Sequence, residues 1–176
     1  MNKTVLVYAT RWGATTETAK EIVQVINEKF QIEVDLINLK DKKTKNPDIS
    51  AYENIILGVS VARFRWAKEG KNFLKKNRRI LAEKNLFVFV SSGGAGEAFQ
   101  KEDFEKYEKL QKKWIDNTLN KFNLQATSRK ALGGRYVGQF SHLGDNRDWG
   151  LIRSWAEEIG SIMSTGADKY TNNQAD

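Results

Sequence analysis

Three short, unbroken apolar runs constrain this chain more than anything else in it: VLVYA at 5–9, NIILGVSV at 54–61 and LFVFVSS at 86–92. An alternating apolar and polar strand has one wet face, whereas a continuous run suits a strand covered on both faces. Each run is followed by a segment with apolar residues at helical spacing. Ala19, Ile22, Val23, Ile26 and Phe30 mark a helix over 16–30, and Phe73, Leu74, Ile80 and Leu81 mark a second. Phe104, Tyr107, Leu110, Trp114, Ile115, Leu119 and Phe122 predict one long helix over 102–122. Further strands are predicted in QIEVDLINL at 31–39 and within 126–137. Asp148 is the expected N-cap of a last helix that buries Trp149, Ile152, Trp155, Ala156 and Ile159.

Strands that alternate with helices in this way predict the α/β class: a doubly wound, five-stranded parallel sheet in a three-layer α/β/α arrangement. The polar stretch KDKKTKNPDISAY from residue 40, which holds the only proline, Pro47, reads as a surface connection. No repeat or linker divides the 176 residues. One domain over 1–164 is expected, followed by a disordered tail at 165–176.

In such a sheet, ligands sit beyond the carboxyl ends of the strands, near the topological switch point. Three strand ends therefore carry the chemistry: TRWGATT, SVARFRWA and SSGGAGE. In the first, a turn around Gly13 aims backbone N–H groups inward, and the start of the following helix adds its dipole. Thr10, Thr15 and Thr16 supply hydroxyls and Arg11 a charge, so the stretch Thr10, Arg11, Trp12, Gly13, Ala14, Thr15 reads as a cradle for a phosphate monoester. A helix cap alone explains one threonine, not Thr10 and Gly13 as well. The second end, Ser60, Val61, Ala62, Arg63, Phe64, Arg65 and Trp66, offers planar side chains for stacking on a flat heteroaromatic ring. Trp66 is equally placed to open the core face of the next helix. The third, Ser91, Ser92, Gly93, Gly94, Ala95 and Gly96, reads as a small glycine-rich loop that lets backbone approach a ring and rearrange.

Other phosphate readers are excluded by inspection. There is no GxxxxGK for a Walker loop and no GxGxxG after the first strand. A phosphatase loop needs a cysteine, and the chain has none. A receiver domain needs acidic residues where Ala9, Thr10 and Ser60 stand. The missing cysteines also remove disulfides, thiolate metal sites and iron–sulfur clusters, and a single histidine, His142, argues against a His-rich metal site or a Ser-His-Asp triad. No run reaches the ~18 apolar residues of a membrane span. A cytoplasmic protein is expected. The net charge of +7 comes from 29 basic and 22 acidic residues spread through the predicted helices, which favours an acidic partner without pointing to nucleic acid.

The sequence resembles the flavodoxin superfamily. TRWGAT is similar to its phosphate-loop pattern of Thr or Ser, two residues, Gly, one residue, Thr. VYATRWGATTETAKEI, GVSVARFRWAKEGKNFLKKN, ALGGRY and GDNRDWGLIRSWAEEI resemble more closely the flavodoxin-domain subfamily containing menaquinone-dependent protoporphyrinogen dehydrogenases. The resemblance implies one non-covalent FMN, its phosphate on 10–15 and its ring between 60–66 and 91–96. It implies a flavoprotein that either transfers electrons between protein partners, one with an acidic docking face, or acts as an oxidoreductase on a quinone or porphyrinogen. The segment 137–146 is shorter than in those relatives as we align them, which favours the carrier. Familiar flavodoxins are acidic; Arg63 and Arg65 in a +7 chain imply a less negative potential for the reduced flavin. A third reading is a scaffold of the same fold without cofactor. No catalytic acid or base is assigned, and His142 reads as solvent-exposed.

Overall fold

A computed structural model describes residues 3–172. Its sheet runs in the order β2 (Val34–Asn38), β1 (Thr4–Ala9), β3 (Asn54–Ala62), β5 (Asn85–Ser91), β6 (Ser128–Leu132), all parallel. A sixth strand, β4 (Arg65–Trp66), is absent from the sequence expectation. It folds back on β3 in two antiparallel pairs, Val61 with Trp66 and Ala62 with Arg65. Two residues are too few to leave a periodic signal.

The two faces of the sheet explain the unbroken apolar runs. Val5, Val7, Ile55, Leu57, Val59, Leu86, Val88 and Val90 pack in one core with Phe73, Leu74, Ile115 and Leu119. Leu6, Ile56, Phe87 and Phe89 pack in the other with Ile22, Ile26, Trp155 and Ile159. Successive residues of each central strand thus enter opposite cores, and neither face is left to water. On the second face the α1 helix (Ala14–Phe30) lies beside α6 (Trp149–Asn172). Trp155 meets Phe89 edge to face at 5.8 Å, a geometry that adds about 0.5–1.5 kcal/mol to the burial itself. Gly58 makes room for that ring, because a Cβ there would lie 2.2 Å from Phe89 Cζ.

The first face carries α2 (Lys68–Leu81), α3 (Gly93–Gln100), α4 (Phe104–Gln111) and α5 (Asn117–Asn120). The single long helix expected over 102–122 is corrected here: a π-helical turn, Lys112–Asp116, separates α4 from α5. The indole Nε1 of Trp66 donates to Trp114 O at 2.7 Å, and Thr118 Oγ1 donates to the same carbonyl at 3.1 Å. Side-chain donors have claimed a carbonyl inside the widened turn. Phe104, read as part of the apolar face, is instead 57% exposed.

Asp148 caps α6 as expected, its Oδ1 accepting from Leu151 N at 2.9 Å. The helix then continues through Asn172, past Ser164, where the disordered tail was expected to begin. No proline interrupts that stretch. Residues 173–176, also part of that expectation, lie outside the described residues. Among the described residues no helix is long and apolar enough to cross a membrane.

Candidate cofactor site at the carboxyl ends of the strands

The order reverses between β1 and β3, so the crevice of an open α/β sheet opens at their carboxyl ends. Gly13 stands at the start of α1 with φ +90° and ψ −15°, a left-handed conformation that side chains disfavour. Its N–H donates to Thr10 Oγ1 at 2.9 Å, which folds the turn back on itself and leaves the Thr10 hydroxyl proton free to point elsewhere. Thr15, in the first turn of α1, is fully buried, and its hydroxyl has no partner.

That orphan is one of a set. Among the described residues four buried side-chain oxygens lack a hydrogen-bond partner: those of Thr15, Thr18, Ser60 and Ser91. Ser60 and Ser91 are paired across β3 and β5 at the carboxyl ends of the sheet. Thr18 lies one turn further along α1 on the same buried face. A buried hydroxyl without a partner costs about 1–3 kcal/mol, and three of the four stand at the start of α1 and at the carboxyl ends of β3 and β5.

The other candidates are placed as follows. Arg11 turns away from the glycine turn, its Nη1 donating to Ala62 O at 2.9 Å and its Nη2 to Trp66 O at 3.0 Å. It clamps the hairpin between β3 and β4 from both sides. That hairpin has a two-residue tip, Arg63 (φ 51°) and Phe64 (φ 60°), both left-handed without being glycine. Two successive positive φ values match the tight turn whose twist fits flanking strands, at a cost of roughly 1–2 kcal/mol per residue. Phe64 at the tip is 83% exposed and Trp12 is 48% exposed, so both planar groups remain available to a ligand. Arg63 and Arg65 are exposed as well, while Val61 and Ala62 are half-buried.

Two readings are corrected. Trp66 is buried in the core at 3% exposure with its indole N–H bound to Trp114 O, so it has no face to offer a ring. The segment at 91–96 is not a glycine loop: α3 begins at Gly93, and Gly94, Ala95 and Gly96 form its first turns. Ser92 caps it, with Oγ accepting from Ala95 N at 3.3 Å. The glycines are there for close packing. A Cβ on Gly93 would lie 2.5 Å from Tyr136 Cζ, and one on Gly96 would lie 2.2 Å from Asn146 Oδ1. The segment is thus a second helix start, with Ala95 N and Gly96 N taken by Ser92.

Those two contacts reveal a strap, residues 133–147, that the sequence reading passed over as a site element. Asn146 Nδ2 donates to Gly93 O at 2.6 Å, and Gly134 N donates to Asn146 Oδ1 at 3.0 Å. Arg135 donates to Trp12 O at 3.1 Å and to the Glu17 carboxylate. The Arg147 side chain, only 3% exposed, binds Asp145 at 2.5 Å, Glu17 at 2.7 Å and Ala14 O at 3.2 Å, and its guanidinium lies 4.9 Å from the centre of the Trp149 ring. Hydrogen bonds from Arg147 are the largest influence holding the Glu17 and Asp145 carboxyls below the usual carboxylate range. Burial pushes the Tyr136 hydroxyl up and keeps it protonated. The signal was present in ALGGRY and GDNRDWG, where arginines and an acid crowd around turn residues. Between them a 3-10 turn, Gly138–Leu143, carries exposed Phe140, His142 and Leu143.

The strand order defines a doubly wound protein whose switch-point crevice opens beside the glycine turn. The flavodoxin domain family matches residues 5–135, and the chain belongs to it. No curated protein sequence matches. Solved structures of similar fold include flavodoxin 1 from Bacillus cereus in its oxidised form (19% identity, TM-score 0.56, 89% of this chain and 96% of that one). A flavodoxin from the domain Archaea is similar at 14% identity and TM-score 0.57, over 90% of this chain and 96% of that one. The rubredoxin oxygen:oxidoreductase of Desulfovibrio gigas is similar at 16% identity and TM-score 0.64. There the match covers 94% of this chain but 37% of the larger one.

Proposed function

We propose that this chain binds one FMN without a covalent bond and carries electrons between protein partners, one of them acidic. The observation that carries the reading is the position of three buried, unpartnered hydroxyls, Thr15 at the start of α1 and Ser60 and Ser91 at the paired carboxyl ends of β3 and β5, with the Gly13 turn preceding α1. The fit is chemical. Thr10 and Thr15 with the backbone N–H groups at the start of α1 suit a dianionic phosphate, and Ser60 and Ser91 suit the polar chain and ring edge. Exposed Trp12 and Phe64 supply planar contact. FMN, when bound, supplies the electron chemistry; the residues bind it, orient it and set its electrostatic surroundings.

Family membership and fold support the reading, and so does the strap. The segment 137–146, shorter than in the dehydrogenases as aligned, is an exposed excursion whose flanking Arg135 and Arg147 tie it to Glu17 of α1, which favours the carrier. Purified protein incubated with FMN and then desalted is expected to stay yellow at one flavin per chain. A colourless product would refute the reading. Steady-state turnover of protoporphyrinogen with a menaquinone analogue would reassign the protein to the alternative. In a spectroelectrochemical titration, exposed Arg63 and Arg65 are expected to make the bound flavin's potential less negative than in acidic flavodoxins, with the shift shrinking as salt is added.

A further inference from the structure

Beside the Phe64 turn, between β4 and the π-helical turn, lies an open groove of about 650 Å³. Its lining holds Phe64, Trp114 and four cations, Arg65, Lys71, Lys113 and Lys121, and no carboxylate. Three basic residues of neighbouring elements are paired: Lys101 with Glu97, Lys109 with Glu105, and Arg129 with Asp116 and Glu108. None of the four groove cations takes part in an ion pair among the described residues. Lys113 instead sits over two rings, its Nζ 4.7 Å from the centre of Trp114 and 5.7 Å from that of Phe64. The π-helical turn places this lysine and Trp114 on the groove, and such turns concentrate at functional sites.

We propose that this groove is the docking surface for an acidic redox protein, whose carboxylates seat on Lys113, Lys121, Lys71 and Arg65. The proposal rests on the FMN reading above and adds to it the place where the partner binds. Charge complementarity selects the occupant. Unpaired cations around a groove steer an acidic surface and hold it in register, and exposed Phe64 and half-buried Trp114 provide the apolar contact at its centre. Single-stranded nucleic acid is the competing occupant, and the test below separates it from an acidic protein. The groove shares Phe64 with the candidate cofactor site, so a protein seated in it lies against the turn that borders that site.

The test uses FMN-loaded protein whose flavin content is measured first, so that failure to hold FMN is registered separately from failure to dock. The probe is an oxidised, acidic two-iron ferredoxin, followed by titration calorimetry and by amide NMR shifts at low salt. Binding is expected to perturb the amides of 113–121 and to weaken at least tenfold both in the Lys113→Glu/Lys121→Glu variant and on raising salt to 0.3 M, with flavin content unchanged. Cytochrome c, which is basic, is expected not to bind the wild type. The proposal is overturned by no ferredoxin binding at low salt, by a variant that binds as tightly as wild type, or by shifts confined to another face. It is also overturned if a single-stranded oligonucleotide binds the same groove more tightly than the ferredoxin does.

Discussion

Thr15→Val is expected to raise the stability of the FMN-free protein and to lower its affinity for FMN. The hydroxyl is fully buried and has no partner, so a methyl group in its place removes a desolvated polar atom without changing the shape. The gain is about 1 kcal/mol, or a melting temperature higher by roughly 2–4 °C for a chain of this size. With FMN present, the same substitution removes one hydrogen bond to a charged phosphate, worth about 1.5–3 kcal/mol, or roughly 10- to 150-fold in Kd. Gly13→Val carries the effect to its limit. A β-branched residue at φ +90° is strained, and its bulk enters the cradle. Yet an added Cβ would meet nothing nearer than Arg135 Nη2 at 3.5 Å, so the chain still folds. Retained yellow colour after desalting is expected to be lost altogether. Calorimetry of the free protein and fluorescence titration with FMN measure the two effects separately. If Thr15→Val moved stability and affinity in the same direction, the hydroxyl would be an ordinary structural group.

Arg147→Met is expected to destabilise the protein by about 2 kcal/mol, between an exposed pair and a fully buried one, because Glu17 and Asp145 retain 49% and 38% side-chain exposure. The melting temperature falls by roughly 4–8 °C. Lysine restores little, since one ammonium does not reach Asp145, Glu17 and Ala14 O together as the guanidinium fork does. The variant also has a pH signature. Both carboxyls are depressed in the folded state, so their contribution is complete above the ordinary values of 4.5 for Glu and 3.8 for Asp. It is lost as pH falls below those values through the folded ones. Wild type is therefore expected to lose stability between pH 5 and pH 3 more steeply than Arg147→Met. Parallel denaturation curves across that range would remove the clasp from the account.

Much of the architecture was legible because the strands are buried on both sides and say so in unbroken apolar runs. The glycine turn was legible for a similar reason: threonines and a glycine between a strand and a helix have few other uses. What escaped the sequence depended on contacts distant along the chain. Trp66 read equally as a stacking face or as core, and its packing in the core with its indole N–H on Trp114 O, 48 residues away, decides for core. Gly93 and Gly96 looked like a flexible loop because their neighbours across the gap, Tyr136 and Asn146, arrive from the strap. The π-helical turn keeps the apolar spacing of an ordinary helix nearly intact, so periodicity had nothing to report.

The Arg11 clamp on Ala62 O and Trp66 O joins the two halves of the crevice. Arg11 belongs to the glycine turn, and the carbonyls it holds belong to the hairpin whose tip is strained. On the FMN reading, the clamp links the phosphate end of the ligand to the hairpin that faces its ring. Inorganic phosphate alone should then narrow the conformational range of Arg63 and Phe64, and riboflavin, lacking the phosphate, should meet a looser ring site. On that reading, the anchor of the ligand also sets the preorganisation of the surface that receives its ring.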